Sequence, residues 1–220
     1  MALVGFFDIL GSKAAISSGR FSDLTTLDFA GPASLAAKLF PAIRVSIFSD
    51  SVIVSVEAGN YPDFLRAVSL MYGQWCGDSI LVRGGIAEGE IRWVDHEPID
   101  AEFRSCRNLS CSRVYGDGLV LAYETEQRSG PGAIPYLTEI AADLLSEVEE
   151  NSVLQGVTPM FCWASEKRAE LVLKCASLNS DHGAQQGNGR RHVLATKSYW
   201  EQVFEKRKFL SDEFDIMPMA

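Results

Sequence analysis

Phe6-Phe7-Asp8-Ile9-Leu10-Gly11-Ser12-Lys13 and Ile47-Phe48-Ser49-Asp50-Ser51-Val52-Ile53-Val54 are the stretches whose reading decides the fold. Each is an apolar run interrupted by a single carboxylate. The flanking residues are β-branched or aromatic, with Gly or Ser close to the acid. That pattern predicts two buried strands, with an Asp at the end of the first and an Asp at a hairpin of the second. A carboxylate set between Phe and Ile is costly to bury unless something cationic pairs it. If the two strands are neighbours, Asp8 and Asp50 come together, and like charges at close range call for a metal. Hard divalent cations, Mg²⁺ or Mn²⁺, take oxygen ligands and bind through one or two carboxylates plus substrate phosphates. Asp beside Gly or Ser is also ordinary turn chemistry, so each acid taken alone leaves both readings open.

Working outward, residues 2–9 read as the first strand. Gly11 to Leu39 contains Gly19, Gly31 and Pro32, which predicts a short helix after Gly11, a loop, and a second helix over Ser34–Phe40. Arg44–Ser49 and Ser51–Glu57 read as a hairpin with Asp50 at the turn. Tyr61–Trp75 carries a helical apolar pattern opened by Pro62-Asp63. Ile80–Ile91 is strand-like with Gly84, Gly85 and Gly89 inside it, which marks close approach of another backbone or a bulge. Val114–Glu126 reads as a turn feeding a helix, Ala133–Leu137 as a brief strand and Thr138–Glu150 as an acidic helix. Gly183–Arg191 reads as a polar loop and Lys197–Phe209 as a basic-aromatic helix. The order β-α-ββ-α-β is the split βαβ pattern of ferredoxin-like sheets. The expected fold class is therefore α+β, an antiparallel sheet with helices packed on one face and a C-terminal extension.

The chain has 220 residues, the size of one domain; its core is expected over about 1–165 and the extension over about 166–220. Apolar residues make up 47% and charged residues 22%, an ordinary globular balance. The net charge of −9 argues against a nucleic-acid groove but not against a nucleotide whose phosphates a metal neutralises. No signal-like start and no long apolar run is present, so no membrane association and a cytoplasmic location are expected. The five Cys and three His show no zinc spacing, and free thiols are expected. Glu88-Gly89-Glu90 and Asp95-His96-Glu97 read as solvated strand ends. Arg83–Gly89 lacks the Gly-Lys-Ser/Thr ending of a phosphate loop.

These residues resemble the catalytic domain of class III nucleotidyl cyclases, and most resemble the small pyrimidine nucleotide cyclases of bacterial Pycsar anti-phage systems. The resemblance covers roughly residues 3–126. It rests on Phe7-Asp8-Ile9-Leu10-Gly11, Phe48-Ser49-Asp50-Ser51, Arg83-Gly84-Gly85-Ile86-Ala87-Glu88-Gly89, and Val114-Tyr115-Gly116 leading into a helix through Ala122. It implies a two-metal cyclisation. Asp8 and Asp50 would hold two Mn²⁺ or Mg²⁺ ions, with the Ile9 carbonyl as a further ligand. Paired ions stabilise the attacking and leaving oxygens of an in-line displacement. Backbone N–H groups over Leu10, Gly11, Ser12 and Lys13 would meet the phosphates, while the Lys13 side chain reads as a solvated lysine.

The resemblance also implies a base pocket. The positions that read the base in purine cyclases of this family are Ser46 and Arg113 here, where adenine-specific members usually carry Lys and Asp. Arg offers only donors and Ser offers both kinds, which suits the two carbonyls of uracil. The expected function is a uridylate cyclase converting UTP to cyclic UMP and pyrophosphate, a second messenger for antiviral defence read by a separately encoded effector. The alternatives are a cytidylate cyclase, or an inactive nucleotide-binding regulatory module. The last is motivated by Val120 and Glu124, which occupy the places of an Asn and an Arg that stabilise the transition state in purine cyclases. Arg104, Arg107 and Asn108 are candidate replacements. The family also implies a head-to-tail homodimer with sites at the subunit boundary. Tyr72, Trp75, Trp93 and Tyr115 are candidate interface anchors, with core packing as their competing role.

Overall fold

The computed structural model describes residues 1–17, 19, 22–78, 80–94, 113–163 and 188–207. β1 (Ala2–Ile9) leads through Gly11 into the short helix α1 (Ser12–Ser17) and then α2 (Asp23–Leu39). The hairpin is β2 (Ile43–Phe48) and β3 (Ser51–Val56), followed by α3 (Tyr61–Gly77) and β4 (Val82–Gly89). Short strands β5 (Arg92–Trp93) and β6 (Val114–Tyr115) precede α4 (Asp117–Arg128). β7 (Pro135–Leu137), α5 (Glu139–Val148), a 3₁₀ turn (Glu150–Ser152), β8 (Val153–Leu154), β9 (Met160–Phe161) and α6 (Asn188–Arg207) complete the described elements. No helix among the described residues is long and apolar enough to cross a membrane.

The main sheet runs β2-β3-β1-β4-β7-β9-β8. Its first four strands are all antiparallel neighbours, the order of the split βαβ unit. The α+β expectation holds, but β7 joins β4 in parallel and the helices do not all lie on one face, since α4 covers the other. β1 is paired on both sides, so its residues alternate between two covered faces.

Phe7 points to the thicker side. There it meets Tyr72 edge-on at 5.7 Å and Trp75 at 6.1 Å. Tyr72 and Trp75 are thus core residues. Phe29 of α2 stacks on Trp75 at 5.1 Å, and its carbonyl accepts the Trp75 indole N–H at 2.8 Å. α5 and α6 add Ala141, Leu145, Tyr199, Trp200 and Val203 to the same core.

α2 departs from the expected loop and short helix. It starts at Asp23, where Ser22 caps the Thr25 N–H, and it runs through Gly31 and Pro32 without ending. Proline removes one helical hydrogen bond, but Phe29, Ala33 and Ala36 are wholly buried on one stripe. Burial of that stripe outweighs the local penalty. α6 also starts earlier than expected, so residues 188–191 are helical and the rest of the expected polar loop lies outside the described residues. Its first turns are tied to the chain before β7: His192 Nδ1 accepts the Gly132 N–H at 3.0 Å and Thr196 Oγ1 accepts the Ala133 N–H at 2.8 Å.

The opposite face is thin and built from small residues. α4 lies on it, with Gly118, Ala122 and Glu126 buried at a spacing of one turn. Val4, Ala87 and Ala122 form a separate apolar cluster there, joined by Phe6, Ile53, Ile91 and Leu119. The glycine strand explains the close fit. A Cβ on Gly85 would lie 2.0 Å from the Ala122 carbonyl oxygen and 2.5 Å from the Glu126 backbone nitrogen. Gly85→Ala is therefore expected to push α4 off the sheet and lower stability by about 1–3 kcal/mol, read as a lower urea midpoint; an unchanged midpoint would show that α4 is not seated on β4.

Candidate functional site

The strand ladders order the α4-facing side into rows, because directly opposed residues share a face. The first row is Phe48, Ser51, Asp8 and Arg83. The second is Ser46, Ile53, Phe6 and Gly85, and the third is Arg44, Ser55, Val4 and Ala87. Asp8 and Ser46 thus lie on one face, two strands and one row apart, about 12 Å by strand spacing and rise.

Asp50 occupies the two-residue turn Ser49-Asp50 between β2 and β3, with Ser49 in the left-handed region at φ 55°. The turn is clamped to β1, since the Ile9 N–H donates to the Asp50 carbonyl at 3.1 Å. That bond holds the Asp50 turn against the end of β1, and the Asp50 charge acts on Asp8 from there. Ser51 Oγ donates to Asp8 Oδ1 at 2.8 Å. Burial pushes the Asp8 carboxyl up to about 6; the Ser51 hydrogen bond opposes this, and the charges of Asp50 and Glu126 add to it. The Arg83 charge also lowers it, and desolvation outweighs both opposing effects.

The remaining expected residues sit as follows. Leu10 donates its N–H to the Leu81 carbonyl at 2.8 Å, so that amide serves the sheet and not a phosphate. Gly11 precedes α1 with φ 85°, Ser12 is buried at its first position, and Lys13 is exposed as expected. Arg113 lies half-buried just before β6, and its carbonyl accepts the Val94 N–H at 3.0 Å. The neighbouring Trp93 indole donates to Ser55 Oγ at 2.8 Å and lies 5.2 Å from the Arg44 guanidinium. This clasp closes the third row and brings the β5–β6 ribbon over the end of the face where Ser46 lies. Arg104, Arg107, Asn108 and Asp95-His96-Glu97 lie outside the described residues.

Two acids depart from the sequence reading. Glu88 is not solvated: it is buried and accepts the Thr138 hydroxyl hydrogen bond at 2.5 Å. Glu126 was not singled out. It is fully buried, ion-paired with Arg83, and takes a second bond from the Gln127 side-chain amide. Its signal was available in the small-small-acid stripe of Gly118, Ala122 and Glu126, opposite a glycine strand. Val120 faces outward at 56% exposure, and Glu124 is ion-paired with Arg128 at 3.2 Å.

The donor set near Asp8 is all oxygen. Among the described residues no three His, Cys, Asp or Glu side chains gather as a metal site. Two carboxylates would thus be the side-chain share, with further oxygens from the backbone and a bound phosphate, a set that suits Mg²⁺ or Mn²⁺.

No protein-family model and no curated sequence matches the chain. Solved structures do. A dimeric guanylyl cyclase domain of the RhoGC fusion protein from the aquatic fungus Blastocladiella emersonii is 14% identical with a TM-score of 0.49, covering 72% of this chain and 92% of that one. A bacterial light-regulated adenylyl cyclase is 10% identical at 0.49, covering 79% and 97%. The adenylyl cyclase CyaB from P. aeruginosa is 15% identical at 0.46, covering 73% and 90%.

The raised Asp8 pKa carries a sign. The folded chain holds this proton more tightly than the unfolded chain, so the associated stability is complete below about 3.8 and is lost as pH rises through about 6. Without divalent ions, Asp8→Asn should raise Tm at pH 7.5 and leave it unchanged near pH 3.5. A lower Tm at pH 7.5 would contradict a half-buried carboxylate whose ionised form is penalised by desolvation.

Proposed function

We propose that this chain is a nucleotidyl cyclase that converts UTP to cyclic UMP and pyrophosphate. The observation that supports the reading is the Ile9–Asp50 backbone bond, which ties the Asp50 turn to the residue after Asp8 at the end of the central strand. Asp8 and Asp50 would hold two Mn²⁺ or Mg²⁺ ions, with the Ile9 carbonyl as a further ligand. Bound, such ions supply activation of the ribose 3′-hydroxyl and neutralisation of the triphosphate. The 3′-hydroxyl gives up its proton to solvent as its oxygen bonds to the α-phosphorus, the α–β bridging bond breaks, and pyrophosphate leaves. Ser51 fixes the Asp8 carboxylate in one orientation. The phosphates lie toward Gly11 and Ser12, and the uracil lies toward Ser46 and Arg113 in a donor-rich pocket.

A two-fold pair of chains suits this reading. Val120 and Leu121 of α4 are exposed, as are Tyr115, Phe48 and Tyr123, the last against the edge of Phe6. In that arrangement the product would be a second messenger for antiviral defence, read by a separately encoded effector. The second reading, a nucleotide-binding regulatory module without turnover, is favoured by Val120 and by the Glu124–Arg128 pair, where a transition-state donor would stand. A cytidylate cyclase would share the same catalytic apparatus.

Purified protein incubated with each nucleoside triphosphate and Mn²⁺, with products resolved by mass, separates these readings. Cyclic UMP from UTP is expected; cyclic CMP points to the cytidylate reading, and no cyclic product leaves the binding module. Asp50→Asn should reduce turnover to the buffer background with an unchanged melting curve, and retained turnover would remove Asp50 from the site. Arg113→Asp should change the accepted base, whereas an unaltered preference would exclude Arg113 from the pocket.

A further inference from the structure

Arg83 and Asp8 stand directly opposite one another on β4 and β1. Opposed residues on antiparallel strands have Cβ atoms about 5 Å apart and point to the same face, so this guanidinium is in position to neutralise this carboxylate. It is turned elsewhere. Arg83 Nε donates to Glu126 Oε1, and the second Glu126 oxygen is held by the Gln127 amide. Asp8 takes its hydrogen bond from Ser51 instead. Glu126 reaches this place because α4 lies against the glycine strand, with the Glu126 backbone nitrogen 2.5 Å from where a Gly85 Cβ would be. The acid is carried by a seated helix, not by a loop.

We propose that Glu126 is a positioning residue that holds Arg83 away from Asp8 and so keeps Asp8 open to a divalent cation. The inference rests on the reading of Asp8 as a cation ligand. Among the described residues, the carboxylates of Asp8, Asp50 and Glu126 lie around the Arg83 guanidinium. A buried charge that loses its partner is strongly penalised, so Arg83 without Glu126 turns to the carboxylate beside it, which is Asp8. A cation must then displace a guanidinium before it binds. With Glu126 in place the Arg83 Nε is held by Glu126, and Asp8 keeps only its Ser51 hydrogen bond, open to the metal.

The test is Mn²⁺ binding to the full chain without nucleotide, read as free Mn²⁺ by electron paramagnetic resonance. Wild-type protein should bind, and Asp8→Asn should abolish that binding. Glu126→Gln should weaken it by about ten- to a hundredfold, the usual range for a lost outer partner. The double variant Arg83→Gln with Glu126→Gln removes the competing guanidinium together with its holder. It should recover binding at least as tight as wild type, a coupling that a simple packing role does not produce. Unchanged affinity in folded Glu126→Gln, or lost affinity in the double variant, overturns the inference while the cyclase reading stands. No Mn²⁺ binding by wild type overturns the inference, and equal binding by Asp8→Asn overturns both. If Glu126→Gln does not fold, the double variant, neutral at both positions, decides alone.

Discussion

The central strand is hydrogen-bonded on both sides along its length, to β3 and to β4, and that double pairing fixes everything else on the chemical face. A strand in this position has no freedom to slide, because a one-residue slip would exchange its two faces. Phe7 would leave the aromatic core and Asp8 would enter it. The register therefore does two jobs with one constraint. It packs Phe7 against Tyr72 and Trp75, and it delivers Asp8 to the row it shares with Ser51 and Arg83.

The two sides of the sheet divide the work. The side carrying α2, α3, α5 and α6 is filled with large side chains and supplies most of the apolar burial. The side carrying α4 has small residues at its contact, so the helix backbone itself comes close to the strand. Close approach leaves little room for water, which is why a carboxylate at that contact needs a guanidinium and why Asp8 nearby holds its proton so tightly.

Much of this was legible in the sequence. Two apolar runs with one acid each marked β1 and the hairpin, and the strand glycines announced a close backbone. Those signals are local, so they survive without tertiary information. The parts that were not legible depend on partners far along the chain. Gly31-Pro32 reads as a break until Phe29 is seen stacked on Trp75. Glu88 reads as solvated until Thr138 reaches it from the start of α5. Glu126, between Thr125 and Gln127, looks like any surface acid of a polar helix. Only the stripe it shares with Ala122 and Gly118 shows that it turns inward. The clamp on Leu10 likewise follows from Leu81, seventy-one positions away in the chain by residue number.

Trp93 gives the third row a last consequence. Of the four indoles, Trp75, Trp163 and Trp200 are buried in the thick core, while Trp93 is partly open and rests against the Arg44 cation and the Ser55 hydroxyl. Its emission is thus the one most exposed to quenching and to changes in polarity at that end of the sheet. The chain carries its own optical reporter, placed where a molecule settling beside Ser46 would disturb it first.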